Sequence, residues 1–489
     1  MKYFKIKLWL WPLLSSALWH MNANAATDKS NNMASITFLV NGQVAKEEIT
    51  LGLDIYEQYS QYDIQYGSQS YQLKLLLNVK KQMRFQLPAN YSMLRIRYKT
   101  ASPKPLFSYS SLFLLRPGDS VLCEIENNAV KFSGRGATRM QLQMELNRIV
   151  NSLRAPRKTI DGTTFFNNEK QLLDTELRMQ LQLLQTYSNV LPIDEYNYFS
   201  SQCYGLRKLR MLKSIIALRL TKPELYKLGL GYFADSLSSI GLPLANQSHM
   251  ASNFTDYLYE FEKMKIKASC GIYDFKDENM FLLWQQINQN YSGMLKEKLI
   301  LIFFTEFSVK NNARYVQLLN ESLATVSNVN NMRMLLAIKR NQTKGMDAYP
   351  FSLPDSAGRL YTLKDFEGKL VIMDFWFTGC MACENLAKVM IPIAKELKDE
   401  KVVFVTVSID TKKEIWLRSL KSGKFTNGHS VNLYTEGKGH FHELIKHYNI
   451  NSYPQLILID SKGKLITSAA EIPKKNSAQA FIQLVRNYL

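Results

Sequence analysis

The sequence predicts a multidomain chain: an all-β region over 34–136, an α-helical region over 137–340, a linker at 341–348 and an α/β domain over 349–489. Three observations carry this. Residues 34–136 alternate apolar and polar positions and are rich in β-branched and aromatic side chains, the period of half-buried strands. From 140 to 340 apolar residues recur at i, i+3, i+4 and i+7, the period of amphipathic helices. Beyond 349 strand-like and helix-like runs alternate, which gives a sheet with helices on both faces. At 489 residues and 46% hydrophobic content, the chain can bury several cores.

In the β region, strands are expected at 36–40, 71–79, 93–98, 111–115 and 120–125, with a turn at Pro117-Gly118-Asp119. Helices follow at 142–153, 172–191, 196–220, 254–267 and 280–307, separated by turns at Pro192, Pro223 and Pro243. No repeated signature marks a solenoid, so this part reads as an irregular bundle. The linker carries Gln342-Thr343-Lys344-Gly345. In the last domain, strands are expected at 369–377, 402–410, 431–436 and 456–460, and helices at 383–399, 412–421 and 440–447.

The N-terminus has the form of a secretory leader. Lys2, Lys5 and Lys7 precede an apolar run at 8–19, and Ala23-Asn24-Ala25 supplies small residues for cleavage after Ala25. An uncleaved membrane anchor is the alternative. Removing those three lysines takes the net charge from +19 to +16. A positive surface in such a compartment favours anionic lipids, glycans or acidic proteins over nucleic acid, for which the chain has no motif. Of the five cysteines, Cys123 reads as a small buried apolar residue, while Cys203 and Cys270 both fall in the helical region and can pair there.

The most informative segment is Asp374-Phe375-Trp376-Phe377-Thr378-Gly379-Cys380-Met381-Ala382-Cys383. A strand runs into Cys-x-x-Cys and a helix follows, so Cys380 stands at a helix N-terminus, where unpaired amides and the dipole stabilise a thiolate. One helical turn separates the two sulfurs, which suits a dithiol that cycles to a disulfide. A zinc site would need further ligands. There is no second Cys-x-x-Cys, and of the nearby His440, His442 and His447 the first two are two apart and do not share a helical face. A structural staple is the other alternative, although so short a loop constrains an unfolded chain least. Downstream, Tyr453-Pro454 precedes a strand, and its bond can be cis or an ordinary trans bond at a strand edge.

Together these residues resemble the TlpA/ResA-like thiol-disulfide oxidoreductases of the thioredoxin superfamily. The resemblance spans 349–489, through Phe351-Ser352-Leu353-Pro354-Asp355, Phe375-Trp376, Thr378, Cys380, Cys383, Tyr453-Pro454 and the hairpin Asp460-Ser461-Lys462-Gly463. It implies a thioredoxin-like α/β fold, preceded over 34–136 by an all-β sandwich of the kind found in such relatives. It makes Cys380 the exposed nucleophile and Cys383 the resolving thiol. Asp374 occupies the position of the buried carboxylate beneath the second cysteine; a strand-end carboxylate facing water is the alternative. Trp376, Gly379, Tyr453 and Pro454 fall at the substrate-binding surface.

Three departures from the family pattern bear on the redox potential. Leu386 stands where relatives carry a glutamate, with Glu384 on another helical face; Gly379 replaces an aromatic residue; and Met381-Ala382 lacks a proline. A peroxiredoxin is disfavoured because Phe377 holds the required hydroxyl position. The resemblance implies no cofactor and no metal. Its partners would be substrate proteins with disulfides and a membrane-bound electron donor, in an extracytoplasmic, periplasmic setting with an anionic envelope surface. The direction expected is disulfide reduction. An oxidase or isomerase using the same pair, and an envelope binding protein with a scaffold domain, are the competing readings.

Overall fold

A computed structural model of the chain describes residues 32–41, 48–56, 69–99, 112–126, 129–153, 162–221, 224, 226, 229, 250–270, 277–307, 313–426, 428–448, 450 and 452–489. The leader at 1–25, Ser111 of an expected strand, and the turns at Pro223 and Pro243 lie outside the described residues. The chain divides into two compact units, the first holding the β region and the second most of the helices with the C-terminal domain.

The first unit has two four-stranded sheets. One is ordered β4-β1-β7-β8, from β1 (Met33–Asn41), β4 (Lys81–Gln86), β7 (Ser120–Glu126) and β8 (Ala129–Arg135). The other is ordered β3-β2-β5-β6, from β2 (Glu48–Tyr56), β3 (Gln69–Leu76), β5 (Ser92–Lys99) and β6 (Leu112–Leu115). Alternation in β1 buries Ile36, Phe38 and Val40, which join Leu51, Leu53 and Leu94 from the other sheet in one core. Cys123 lies in that core, as its apolar reading required.

Strands β2, β4 and β8 escaped the sequence reading for physical reasons. β2 carries Gly52 and Asp54, both poor strand formers, and Asp54 is accommodated by a two-point ion pair with Arg97 at 2.8 and 3.0 Å. β4 buries fully only Phe85, and β8 only Val130. The helix α1 (Ala137–Ser152) packs on β6 and β8. Its Gln143 accepts from Leu114 N–H at 2.9 Å and donates to the Leu112 carbonyl, covering the edge of β6.

Further helices are α2 (Gly162–Thr186), α3 (Ile193–Thr221), α4 (Ser252–Cys270), α5 (Asp277–Asn290), α6 (Gly293–Glu306), α7 (Ala313–Thr325) and α8 (Val329–Gln342). α3 and α4 meet closely at Gly205, where a Cβ would stand 2.3 Å from the Phe254 nitrogen. The single helix expected over 280–307 is two, broken at Tyr291 and Ser292, where the backbone of Ser292 is extended. α6 buries Leu299 through Phe304 on every side, and among the described residues no helix is long and apolar enough to cross a membrane. Glu297 on α6 accepts from Ser327 and Asn331, tying α6 to the start of α8. Cys203 is buried and Cys270 exposed, and no disulfide joins them.

The expected linker is not a free tether. α8 continues to Gln342, and the next residues pair with the C-terminal hairpin: Gly345 N–H donates to Leu465 O at 2.7 Å and Ala348 N–H to Gly463 O at 2.9 Å. The backbone groups of a polar segment are thus satisfied by a sheet edge rather than by water.

The C-terminal domain opens with the hairpin β9 (Ser352–Pro354) and β10 (Leu360–Thr362). A five-stranded sheet follows, ordered β13-β12-β11-β14-β15. Its strands are β11 (Leu370–Trp376), β12 (Val402–Ser408), β13 (Val431–Tyr434), β14 (Gln455–Ile459) and β15 (Leu465–Ala470). The first three run parallel, and β14 and β15 are antiparallel. The helices are α9 (Met381–Glu396), α10 (Lys413–Ser422), α11 (Glu443–His447) and α12 (Ala478–Arg486). Every residue of β11 is buried, as a central strand covered on both faces requires. Val371, Met373 and Phe375 face a core with Ile445 and Tyr448, whereas Leu370 and Ile372 face one with Met390, Ile393, Phe481 and Ile482. The expected helix at 440–447 is interrupted at His442, whose Nδ1 accepts from Leu444 N–H and caps α11.

His447 at the end of α11 packs on Tyr349 at 4.9 Å, and Asn341 of α8 donates to its carbonyl at 3.0 Å. Burial, then the nearby Arg340, pushes its imidazole down to about 4 from 6.5, and among the described residues its Nε2 has no hydrogen-bond partner. The folded state therefore holds His447 neutral where an unfolded chain would take up a proton. Its stabilising effect is present above pH 6.5 and lost as pH falls toward about 4. We expect the urea midpoint to drop across that interval more steeply in the wild type than in His447→Gln. Parallel pH profiles of the two would refute this.

Candidate active site

The end of β11 and the start of α9 bring Cys380 and Cys383 together as a disulfide with Cα atoms 5.2 Å apart. Cys380 is the N-cap residue of α9, and its Sγ accepts from Cys383 N–H at 3.1 Å. Cys380 is 7% exposed against 1% for Cys383, so the first cysteine is the more accessible. The loop between strand and helix is fixed from below. Thr378 donates through its backbone N–H and its hydroxyl to the two oxygens of Asp410, at 3.0 and 2.8 Å. Ser408 donates to the same carboxylate at 3.0 Å, and Ser419 of α10 lies 2.7 Å from the Thr378 hydroxyl.

Gly379 has φ +93 with open space around a would-be Cβ. A glycine is needed here for the left-handed backbone, and its lack of a side chain leaves the approach to Cys380 open. Around it Phe377 and Met381 are exposed, Met381 at 77%. The antiparallel register sets Gln455 opposite Phe375, so Tyr453 and Pro454 emerge beside the end of β11. The Tyr453–Pro454 bond is cis. The Tyr453 ring meets Phe377 edge-on at 5.6 Å and packs against the aromatic cluster that contains both cysteines. Its hydroxyl lies 3.3 Å from His440 Nδ1.

Trp376 corrects an expectation. It is fully buried and stacks on Phe425 at 4.9 Å, so it supports the pair from within and does not line the substrate surface. Trp416 stacks on Tyr434 in the same cluster. Sequence reasoning missed Trp416, Phe425 and the Asp410 anchor. Trp416 and Phe425 come from the long stretch between β12 and β13, where neither periodicity nor a motif marks them.

Asp374 faces inward and not toward water. It lines a cavity of about 10 Å³, roughly one water's worth, with Ile372, Ala387, Met390, Thr406 and Thr426. Ala387 lies one turn beyond Cys383 on α9, so the carboxyl sits under the helix face that carries the second cysteine. Burial raises its pKa well above the ordinary carboxylate range, and among the described residues Oδ1 has no hydrogen-bond partner. Leu386 is packed among Ile372, Met390 and Leu458, which accounts for an apolar residue there. Glu384, in the first turn of α9, pairs with Lys388 at 3.3 Å. The three C-terminal histidines do not converge: His440 meets Tyr453, His442 caps α11, and His447 packs on Tyr349.

The family model described as thioredoxin-like matches residues 368–465. The thioredoxin-like protein YneN of Bacillus subtilis (strain 168) is 31% identical over 121 residues, 24% of this chain and 67% of the relative. The chain belongs to the thioredoxin-like, ResA-related thiol-disulfide oxidoreductases. ResA of the same organism is 25% identical over 152 residues, covering 31% of this chain and 81% of that protein. A solution structure of a thiol:disulfide interchange protein from Bacteroides sp. is 26% identical, covers 30% of this chain and 92% of that one, and has a TM-score of 0.26. The enzyme's activity is accordingly thiol–disulfide exchange.

The state of Asp374 has opposite consequences for stability and rate. Its raised folded-state pKa stabilises the fold below the unfolded value of 3.8, and that contribution is lost as pH rises through the folded value. We expect Asp374→Asn to unfold at higher urea than the wild type at pH 8 while slowing disulfide exchange by about tenfold or more. A variant both less stable and equally fast would refute the assignment.

Proposed function

We propose that the enzyme is an extracytoplasmic reductase of protein disulfides, in which Cys380 is the nucleophile, Cys383 the resolving thiol and Asp374 the base. The observation that carries this is the cysteine pair at the start of α9, with an amide hydrogen bond on Cys380 and a buried carboxyl beneath Cys383. In the reduced enzyme the Cys380 thiolate attacks one sulfur of a substrate disulfide, forming a mixed disulfide and expelling one substrate thiolate. Asp374 accepts the Cys383 proton. The Cys383 thiolate then attacks Cys380 Sγ, the mixed disulfide breaks, and the second substrate thiolate leaves. The substrate gains two electrons, and the enzyme returns to the Cys380–Cys383 disulfide. Gly379, Tyr453 and Pro454 form the open side on which the substrate chain docks, with Phe377 and Met381 as its exposed apolar rim.

A strong oxidant of this class owes its character to a stabilised reduced form. Here Glu384 adds negative charge to the first turn of α9, opposing the dipole that stabilises a Cys380 thiolate. That favours reduction of substrates. The leader supports a compartment outside the cytoplasm, with cleavage after Ala25, and reduction there needs a membrane-bound donor. Two sheets sharing one apolar core support a sandwich in the first unit. Oxidation or isomerisation by the same pair is the second reading, favoured by Met381-Ala382 in place of a proline.

We expect Cys380→Ser to abolish insulin reduction and Cys383→Ser to accumulate mixed disulfides. Equilibration in graded dithiothreitol should give a potential at or below about −230 mV. A value between about −180 and −120 mV would reverse the direction, and unchanged activity in Cys380→Ser would remove the assignment.

A further inference from the structure

The net charge of the chain is unevenly placed. Residues 69–99 hold Lys74, Lys80, Lys81, Arg84, Arg95, Arg97 and Lys99 and no acidic residue, against +19 for the whole sequence. In the structure this stretch is β3, β4 and β5, with β3 and β4 each an edge strand of its own sheet. The two edges stay side by side. Lys81 Nζ donates to Lys74 O at 3.3 Å, and Gln69 Nε2 to Gln86 O at 3.3 Å.

Their connection is an apolar tip: Leu76 is 53% exposed, Leu77 38% and Val79 48%. The tip is not frayed. Asn78 N–H donates to Val40 O at 2.8 Å, Val79 N–H to Leu76 O at 3.3 Å, and Asn78 takes a left-handed φ of +58. Three aliphatic side chains are therefore held outward by fixed backbone, flanked by exposed Lys74, Lys80, Lys81 and Arg84. Arg97 is committed to Asp54, and Arg95 lies over the Tyr56 ring. The carboxylates that strand pairing carries toward this end are Glu48, opposite Leu76, and Glu126, opposite Asn41.

We propose that this tip is a membrane-contact element that seats Leu76, Leu77 and Val79 in the interfacial region of an anionic lipid bilayer, with the basic side chains on its headgroups. A convex apolar tip with cationic flanks matches a soft, negatively charged, apolar-cored surface. The long lysine stems reach the headgroups while the aliphatic residues go deeper. A second copy of the chain would bring like charges together. The proposal rests on the extracytoplasmic reading, where an envelope lipid surface is at hand, and its test is independent of the redox chemistry.

The test is co-flotation of the chain from Ala26 onward with phosphatidylcholine vesicles, with and without phosphatidylglycerol. Leu76→Ser/Leu77→Ser and Lys80→Glu/Arg84→Glu are compared with the wild type, and urea midpoint and insulin reduction are followed in the same preparations. The wild type should float only with anionic vesicles, less so at high salt. Each double variant should lose about tenfold or more of that binding with midpoint and insulin reduction unchanged. Wild-type protein that stays unbound would overturn the proposal. So would a Leu76→Ser/Leu77→Ser variant that binds undiminished, which would reduce the contact to charge attraction without seating of the tip. Loss of insulin reduction with vesicle binding intact would refute the redox reading alone.

Discussion

Burial of β11 on both faces is the constraint from which the active site follows. A parallel central strand has no solvent face, so its residues must be apolar or carry their cost inside the protein. Six of its seven residues are apolar, and the seventh is Asp374. The sheet also decides where the chain leaves: Ile409 N–H donates to Trp376 O, so the ladder holds to the last residue of β11 before Phe377 turns outward. Four residues later Cys380 caps α9. The cysteines thus stand on the edge of a rigid core, and Asp410 holds Thr378 in the turn between them and the strand.

The bed beneath the disulfide holds buried polar atoms that are left unpaired among the described residues. Among the described residues, Trp376 and Trp416 both bury an indole Nε1 with no hydrogen-bond partner, and Asp374 does the same with Oδ1. Each unpaired buried polar group costs about 1–3 kcal/mol. Aromatic stacking of Trp376 on Phe425 and Trp416 on Tyr434 offsets part of this, at about 0.5–1.5 kcal/mol per pair. Local rules are broken where function asks for it, and the concentration of unpaired groups around one cysteine pair is of that kind.

What the sequence made legible follows from how strongly each residue is constrained. The strand, Cys-x-x-Cys and helix could be read because burial and capping leave little choice there. β2 could not, because its sheet tolerates Asp54 only through Arg97, a partner 43 residues away that no local pattern announces. The edge strands β4 and β8 bury too little to write a period. The break between α5 and α6 was hidden because α6 is apolar all round and blurs the phase of its neighbour. In the site, Asp374 was legible from its apolar neighbours. Asp410, Trp416 and Phe425 were not, since their roles arise from tertiary contacts across β12, α10 and the loop after it.

The departures from the family pattern become coherent once the packing is considered. Leu386 is part of an apolar core with Ile372, Met390 and Leu458, and a carboxylate there would be desolvated with no partner. Glu384 points to another side of α9 and is paired with Lys388. On the mechanism proposed above, proton transfer from Cys383 therefore falls to Asp374, which lines a small, mostly apolar cavity with Thr406 and Thr426. A carboxyl in the core responds to burial, which salt screens little. The rate of the resolving step should then be governed by how well the wall of β11, α9 and Phe425 excludes water from Asp374, and only weakly by ionic strength.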